Sequence, residues 1–210
     1  IAAAAGDIAS LEYFHTLDFP LDEECSSLAA ASGVVSCLQY VHEHGCPING
    51  RSASARAAEG GHINCLKYLK EHGYHWDEIT TGSAAYGGHA ECLQYLHEHG
   101  CDWDERTAEE AAKRGHLSCL QYAHEHGCPW GENTTKYAAI RGHLNCLQYL
   151  HEQGCPWNEN TIMNAACEGH LDCVQYAHEH GCPWTAETIN ATNWSNQAEC
   201  LQYLLEHKHN

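Results

Sequence analysis

The sequence predicts an all-α fold, a solenoid of about seven to eight stacked helix-turn-helix repeats, and three observations carry that expectation. The run Cys-Leu-Gln-Tyr and close variants of it recur at Cys37, Cys65, Cys92, Cys119, Cys146, Cys173 and Cys200, with one spacing of 28 residues and five of 27. Self-similarity at a fixed period of this length marks an array of supersecondary units, each stacked on its neighbours. Around each copy the apolar letters fall on one broad arc of a helix, and glycines bracket that helix at constant offsets. A degenerate copy, Ser10-Leu11-Glu12-Tyr13-Phe14-His15, lies 27 residues upstream of Cys37. The units are expected at 1–21, 22–48, 49–76, 77–103, 104–130, 131–157, 158–184 and 185–210, as a single repeat domain.

Positions are counted from the organising Cys as zero. In the copy at Cys146, Leu147 (+1), Tyr149 (+3) and Leu150 (+4) share an arc with the Cys, while Asn145, Gln148 and Glu152 fall opposite. That is an amphipathic helix with a wide buried face. Glycine at −4 and +8, as Gly142 and Gly154, supplies two helix stops per unit, because a left-handed C-terminal residue is cheapest without a Cβ. The next helix starts at +12, where Asp22, Asn49, Asp77, Asp104, Gly131, Asn158 and Thr185 all belong to the N-capping set. It carries a pair of alanines, such as Ala138-Ala139 and Ala165-Ala166, that allows close approach of neighbouring helices. Between the two helices stands Cys-Pro-Trp, at Cys128, Cys155 and Cys182, with Asp102 in place of Pro in one copy. Proline cannot continue the helix, and one Trp per unit offers a large buried wedge.

These residues resemble the ankyrin repeat family. Gly142 to Asn158 aligns without a gap on the family's second helix and exit turn, and Ala165-Ala166-Cys167-Glu168-Gly169-His170 matches the end of its first helix. The resemblance covers essentially the whole chain and implies a non-catalytic protein-binding scaffold. The period is shorter than the family's usual 33, and the missing residues lie before the Thr at +15, where the family places its β-hairpin finger. Fingers are therefore expected to be shortened or absent, and the array resembles the short Cys-Pro-Trp type of giant viruses, oomycetes and algae. The opening run Ile1-Ala2-Ala3-Ala4-Ala5-Gly6 matches the end of a first helix, so a longer parent chain is expected.

Composition limits the partners. The chain has 28 Asp and Glu against 10 Lys and Arg, a formal charge of −18, which argues against nucleic acid or an anionic membrane as partner. No apolar run is long enough for membrane insertion. Twelve of the 14 cysteines occupy the two slots at 0 and +9, the exceptions being Cys25 and Cys167. A free Cys packs as a small hydrophobe, so a reducing, intracellular and cytoplasmic setting is expected.

Chemistry-bearing groupings are few. Four units contain His-x-x-Cys-x4-His-x3-Cys: His89, Cys92, His97 and Cys101; His116, Cys119, His124 and Cys128; His143, Cys146, His151 and Cys155; His170, Cys173, His178 and Cys182. Two imidazoles and two thiolates could make a tetrahedral zinc site. Positions 0 and +5 are about 140° apart on a helix, however, and Lys70 and Tyr74 replace the His and Cys of the third unit. Buried structural Cys with His at the rim is the favoured reading, and no cofactor is expected. The histidines at +7, His44, His72, His99, His126, His180 and His207, fall in the last helical turn and suit C-terminal capping. Nineteen histidines also raise the expectation of pH-sensitive stability near pH 6 to 7. No nucleophile elbow, phosphate loop or paired-carboxylate setting is present, and a Cys–His pairing made in every unit reads as architecture, not catalysis.

Recognition in such an array is expected at positions that vary between units. These are the exposed front of the first helix: Arg106, Glu109 and Glu110; Asn133, Thr135 and Lys136; Asn160, Ile162, Met163 and Asn164, with core packing expected to claim Ile162 or Met163. The expected partner is another protein. Self-assembly of the nearly uniform units is the alternative, and the polar finish Glu206-His207-Lys208-His209-Asn210 reads as a cap that speaks against open stacking.

Overall fold

The computed structural model describes residues 2–208; Ile1, His209 and Asn210, which enter the readings of the chain's two ends, lie outside the described residues. Sixteen helices and no strand are found among them: α1 (Ala2–Ala5), α2 (Ile8–Thr16), α3 (Glu23–Ser32), α4 (Val35–Glu43), α5 (Gly50–Glu59), α6 (Ile63–Glu71), α7 (Glu78–Gly87), α8 (Ala90–Glu98), α9 (Glu105–Arg114), α10 (Leu117–Glu125), α11 (Glu132–Ile140), α12 (Leu144–Glu152), α13 (Glu159–Glu168), α14 (Leu171–Glu179), α15 (Ala186–Trp194) and α16 (Ala198–Glu206). The chain falls into two compact units, residues 1–107 and 108–210. No β-hairpin finger is formed by the described residues: α12 passes to α13 through Gln153–Asn158 alone.

Each unit is built from helical hairpins laid side by side. In the first, α1, α3, α5 and α7 pack in one row and α2, α4, α6 and α8 in another. In the second, α11, α13 and α15 form one row, and α10, α12, α14 and α16 the other. The first-helix row can pack closely because its inward residues are small: Ala29, Ala30, Ala57, Ala58, Ala84, Ala85, Ala138, Ala139, Ala165 and Ala166 are fully buried. The second-helix row supplies bulk, with Leu38, Leu66, Leu93, Leu120, Leu147 and Val174 fully buried at +1 and Leu69, Leu96, Leu150 and Leu204 at +4. Burying one such leucine contributes roughly 1.5–3 kcal/mol.

Helix ends follow the chemistry of their letters. The second helix closes in a Schellman motif: Gly154 takes φ +76° and Cys155 N–H donates to the Leu150 carbonyl at 2.8 Å. The residue donating that bond normally makes an apolar contact with the residue accepting it, which accounts for a small, buried Cys at +9. The first helix closes the same way, with His170 N–H donating to Ala165 O at 2.9 Å. It opens on side-chain caps: Asp22, Asn49, Asp77, Asn158 and Thr185 each accept a backbone N–H of the first turn. The Thr at +15 returns the bond, as where Thr161 Oγ1 accepts the Asn158 N–H at 3.4 Å.

Candidate interaction surface

Five recurring sets of side chains account for most of the cysteine and histidine that the sequence offers for chemistry. Cys at 0 is buried throughout, at Cys37, Cys65, Cys92, Cys119, Cys146, Cys173 and Cys200. Cys at +9 is also buried and directs its thiol to the carbonyl of the N-cap residue that opens its own unit: Cys46 to Asp22 O at 2.9 Å, Cys101 to Asp77 O at 3.2 Å, Cys155 to Gly131 O at 3.4 Å and Cys182 to Asn158 O at 3.2 Å. Burial pushes these thiols up, to about 11 at Cys92, Cys146 and Cys182 and about 12 at Cys101 and Cys173. They are thiols at neutral pH, poor nucleophiles and poor metal ligands.

Two of the three histidine sets bond across the seams between successive hairpins. His at −3 reaches back to a carbonyl of the preceding first helix, His62 Nε2 to Ala31 O at 2.9 Å, His143 to Lys113 O at 3.1 Å and His170 to Ile140 O at 3.0 Å. A carbonyl only accepts, so Nε2 carries the proton. His at +5 has Nδ1 on the Tyr hydroxyl of the following unit: His15 with Tyr40, His42 with Tyr68, His124 with Tyr149, His151 with Tyr176 and His178 with Tyr203, at 2.7–2.9 Å. In three units its ring lies flat on the Trp of its own unit, with centroids 4.0 Å apart for His97–Trp103, 3.8 Å for His124–Trp130 and 4.1 Å for His151–Trp157. In the third unit Lys70 takes that place, its Nζ 4.5 Å over the Trp76 ring. His at +7 donates Nδ1–H to the Tyr carbonyl one turn earlier, at 2.8 Å for His44, His72, His99, His126, His180 and His207 alike.

The His and Cys of each zinc-like run are thus turned to different neighbours. Among the described residues no group of three or more His, Cys, Asp or Glu is placed to hold a metal ion. The Trp expected as a buried wedge is instead half-buried in every Cys-Pro-Trp unit; Trp130 and Trp157 serve as the platform for His, and Trp184 offers its edge.

The residues expected to recognise a partner lie along the first helices. Arg106 is exposed and holds Asp104 at 2.9 Å and Glu78 at 3.7 Å. Glu110 is half-buried and pairs with Lys113 at 2.9 Å, and Glu109 is half-buried. Asn133 and Asn160 are exposed, and Lys136, Met163 and Asn164 are half-buried. One expected recognition residue requires correction, since Thr135 is fully buried; Ile162, also fully buried, is the member of the Ile162–Met163 pair that core packing claims. Both stand at +16, on the face turned toward the neighbouring hairpin. The Thr135 hydroxyl donates to Pro156 O at 3.0 Å, so its polarity serves the interior. A buried letter at +16 could have been inferred from the sequence, because the adjacent Thr at +15 recurs in successive units and faces the same way.

The comparisons agree with this architecture. Models of ankyrin repeats match residues 109–187 and 135–210 in one form (three copies) and residues 54–97 and 83–124 in another (many copies). No curated protein matches the chain. Among solved structures, the crystal structure of the human ASB11 ankyrin repeat domain superposes with a TM-score of 0.66 over 81% of this chain and 96% of that one, at 20% identity. With ankyrin-repeat matches running from residue 54 to residue 210 and the helical hairpins repeating throughout, the chain belongs to the ankyrin repeat family.

Proposed function

We propose that the chain is a non-catalytic protein-binding scaffold, a short-period array of the Cys-Pro-Trp kind, whose recognition residues in its second compact unit are Asn133, Lys136, Asn160, Met163 and Asn164. One observation carries the reading. The buried positions of α11 and α13 repeat, with Thr134 and Thr161, Ala138 and Ala165, and Ala139 and Ala166 all at 0–1% exposure, while the half-buried positions +17, +18 and +21 of the same helices change, from Lys136 to Met163, Tyr137 to Asn164 and Ile140 to Cys167. In repeat arrays the letters that build the core are constrained and those that vary are free to select a partner. Ankyrin repeats are typically interaction modules, and the single methionine, half-buried on α13, supplies an adaptable apolar contact at the centre of the patch. The burial of twelve of the fourteen cysteines as small packing residues supports a reducing compartment, and no described helix is long and apolar enough to cross a membrane.

The test is capture and identification of the bound protein with the wild-type chain, followed by titration of that protein against a Lys136→Glu, Asn160→Ala, Met163→Glu variant. Affinity is expected to fall at least about tenfold, since hot-spot residues contribute 2 kcal/mol or more each, with the melting temperature unchanged. Equal affinity of variant and wild type would remove these residues from the interface. Sedimentation of the wild type at several concentrations separates a monomer awaiting its partner from self-assembly.

A further inference from the structure

The +5 and +7 histidines of consecutive hairpins face one another. His15 and His44 have ring centroids 5.1 Å apart, His42 and His72 4.9 Å, His151 and His180 5.2 Å, and His178 and His207 5.1 Å, with the planes inclined by 68–88°. None of these eight rings forms an ion pair with a carboxylate. Each pair sits across a seam between second helices and shares one tyrosine. Tyr176, for example, meets His151 Nδ1 with its hydroxyl at 2.8 Å and accepts His180 Nδ1–H on its carbonyl at 2.8 Å. We propose that these facing imidazole pairs are an acid-sensitive latch between successive hairpins, closed while at most one ring of a pair is charged and loosened when both are.

The chain itself supplies the controls. A single positive charge at +5 is compatible with the fold, because Lys70 occupies that slot, lies over Trp76 and reaches the His99 carbonyl at 3.4 Å. The indole face favours a cation. At +7 one unit has Gln153 in place of His, so His124 keeps its bond to Tyr149 at 2.9 Å without facing a second titratable ring. The cost therefore lies in the second charge: two cations about 5 Å apart repel at the seam, and water and the neighbouring Glu152 and Glu179 offset them only in part.

The charged and titratable groups around the latch are few. His151 has Glu152 beside it on α12 and faces Tyr176 and His180 on α14; the loop between α12 and α13 offers the Trp157 face and Cys155, whose thiol is turned to Gly131 O. His178 has Glu179 beside it on α14 and faces Tyr203 and His207 on α16, with Lys208 next in the chain adding a further positive charge; the loop after α14 offers the edge of Trp184. Desolvation, and secondarily His180, holds His151 below the usual imidazole range. A histidine whose folded pKa lies below its unfolded value of about 6.5 binds its proton more readily once unfolded, so its stabilising contribution is complete above pH 6.5 and is lost as pH falls below it.

The test compares thermal unfolding of the wild type with that of a His180→Gln, His207→Gln double variant, which copies Gln153. Between pH 7.5 and 5.5 the wild type is expected to lose about 6 °C or more, and the variant less than half as much. An equal loss in both, or a flat wild-type profile, overturns the latch. The wild type is also titrated by following the imidazole C–H signals of His151 and His180. The proposal requires two unequal steps, the later one below pH 6.5; coincident titration at the ordinary imidazole value overturns it, whether or not the variant folds.

Discussion

Gly142 and Gly154 are both left-handed helix stops, with φ of +69° and +76°, yet they answer to different neighbours. A Cβ on Gly154 would meet nothing within 4 Å, whereas one on Gly142 would lie 2.5 Å from His170 Nδ1 of the next unit. Gly154→Ala is therefore expected to cost only the left-handed strain, about 1–2 kcal/mol. Gly142→Ala adds displacement of His170 and loss of its 3.0 Å bond to Ile140 O, a further 1–3 kcal/mol or so. Urea unfolding of the two variants checks the ordering. Both glycines are legible in the sequence as stops, but the difference between them is not, because the ring that crowds Gly142 belongs to a residue 28 positions later. The same reason hid the work of His151. Its place on the helix rim follows from the period, but its hydroxyl partner, Tyr176, and its flat contact with Trp157 depend on how hairpins register in space.

The first helices owe their boundaries to local chemistry, and this part of the fold could be read directly. The letters at +12 that belong to the capping set cap where expected, down to the 3.0 Å bond by which Asp104 Oδ1 accepts the Arg106 N–H. Asn158 accepts the Asn160 N–H at 3.0 Å and opens α13. Asn158→Ala is expected to destabilise by about 1 kcal/mol and Asn158→Gly by a few tenths, read as shifts in denaturant midpoint at constant slope. Gly131, which already opens α11 without a side-chain bond, shows that the position tolerates the second change. The second helices were legible from their period, with Cys146, Leu147 and Leu150 fully buried as the arc predicts. The front of the first helices was read less well. Thr135 looked like a surface letter by polarity alone; its hydroxyl bonds an internal carbonyl, and the recurrence of the Thr beside it is the one sequence signal of that inward face.

Across the whole chain, the fourteen cysteines divide by environment: Cys25 and Cys167 are half-buried, and the other twelve are buried. With Cys101 and Cys173 pushed up to about 12 by desolvation, the thiolate fraction of the interior is negligible at neutral pH. A thiol-specific disulfide reagent at pH 8 is expected to modify Cys25 and Cys167 in a fast phase and the remainder only as the protein unfolds. A fast phase of many more thiols would contradict the packing described. The five seam bonds from a +5 ring to the next tyrosine described above span 25 or 26 residues, close to one full period. Excising residues 131–157 would bring Tyr176 to the place of Tyr149, opposite His124, with all offsets restored; cutting out any fraction of a period would leave rings and hydroxyls facing strangers. A gene encoding such a chain can grow or shrink only in whole steps.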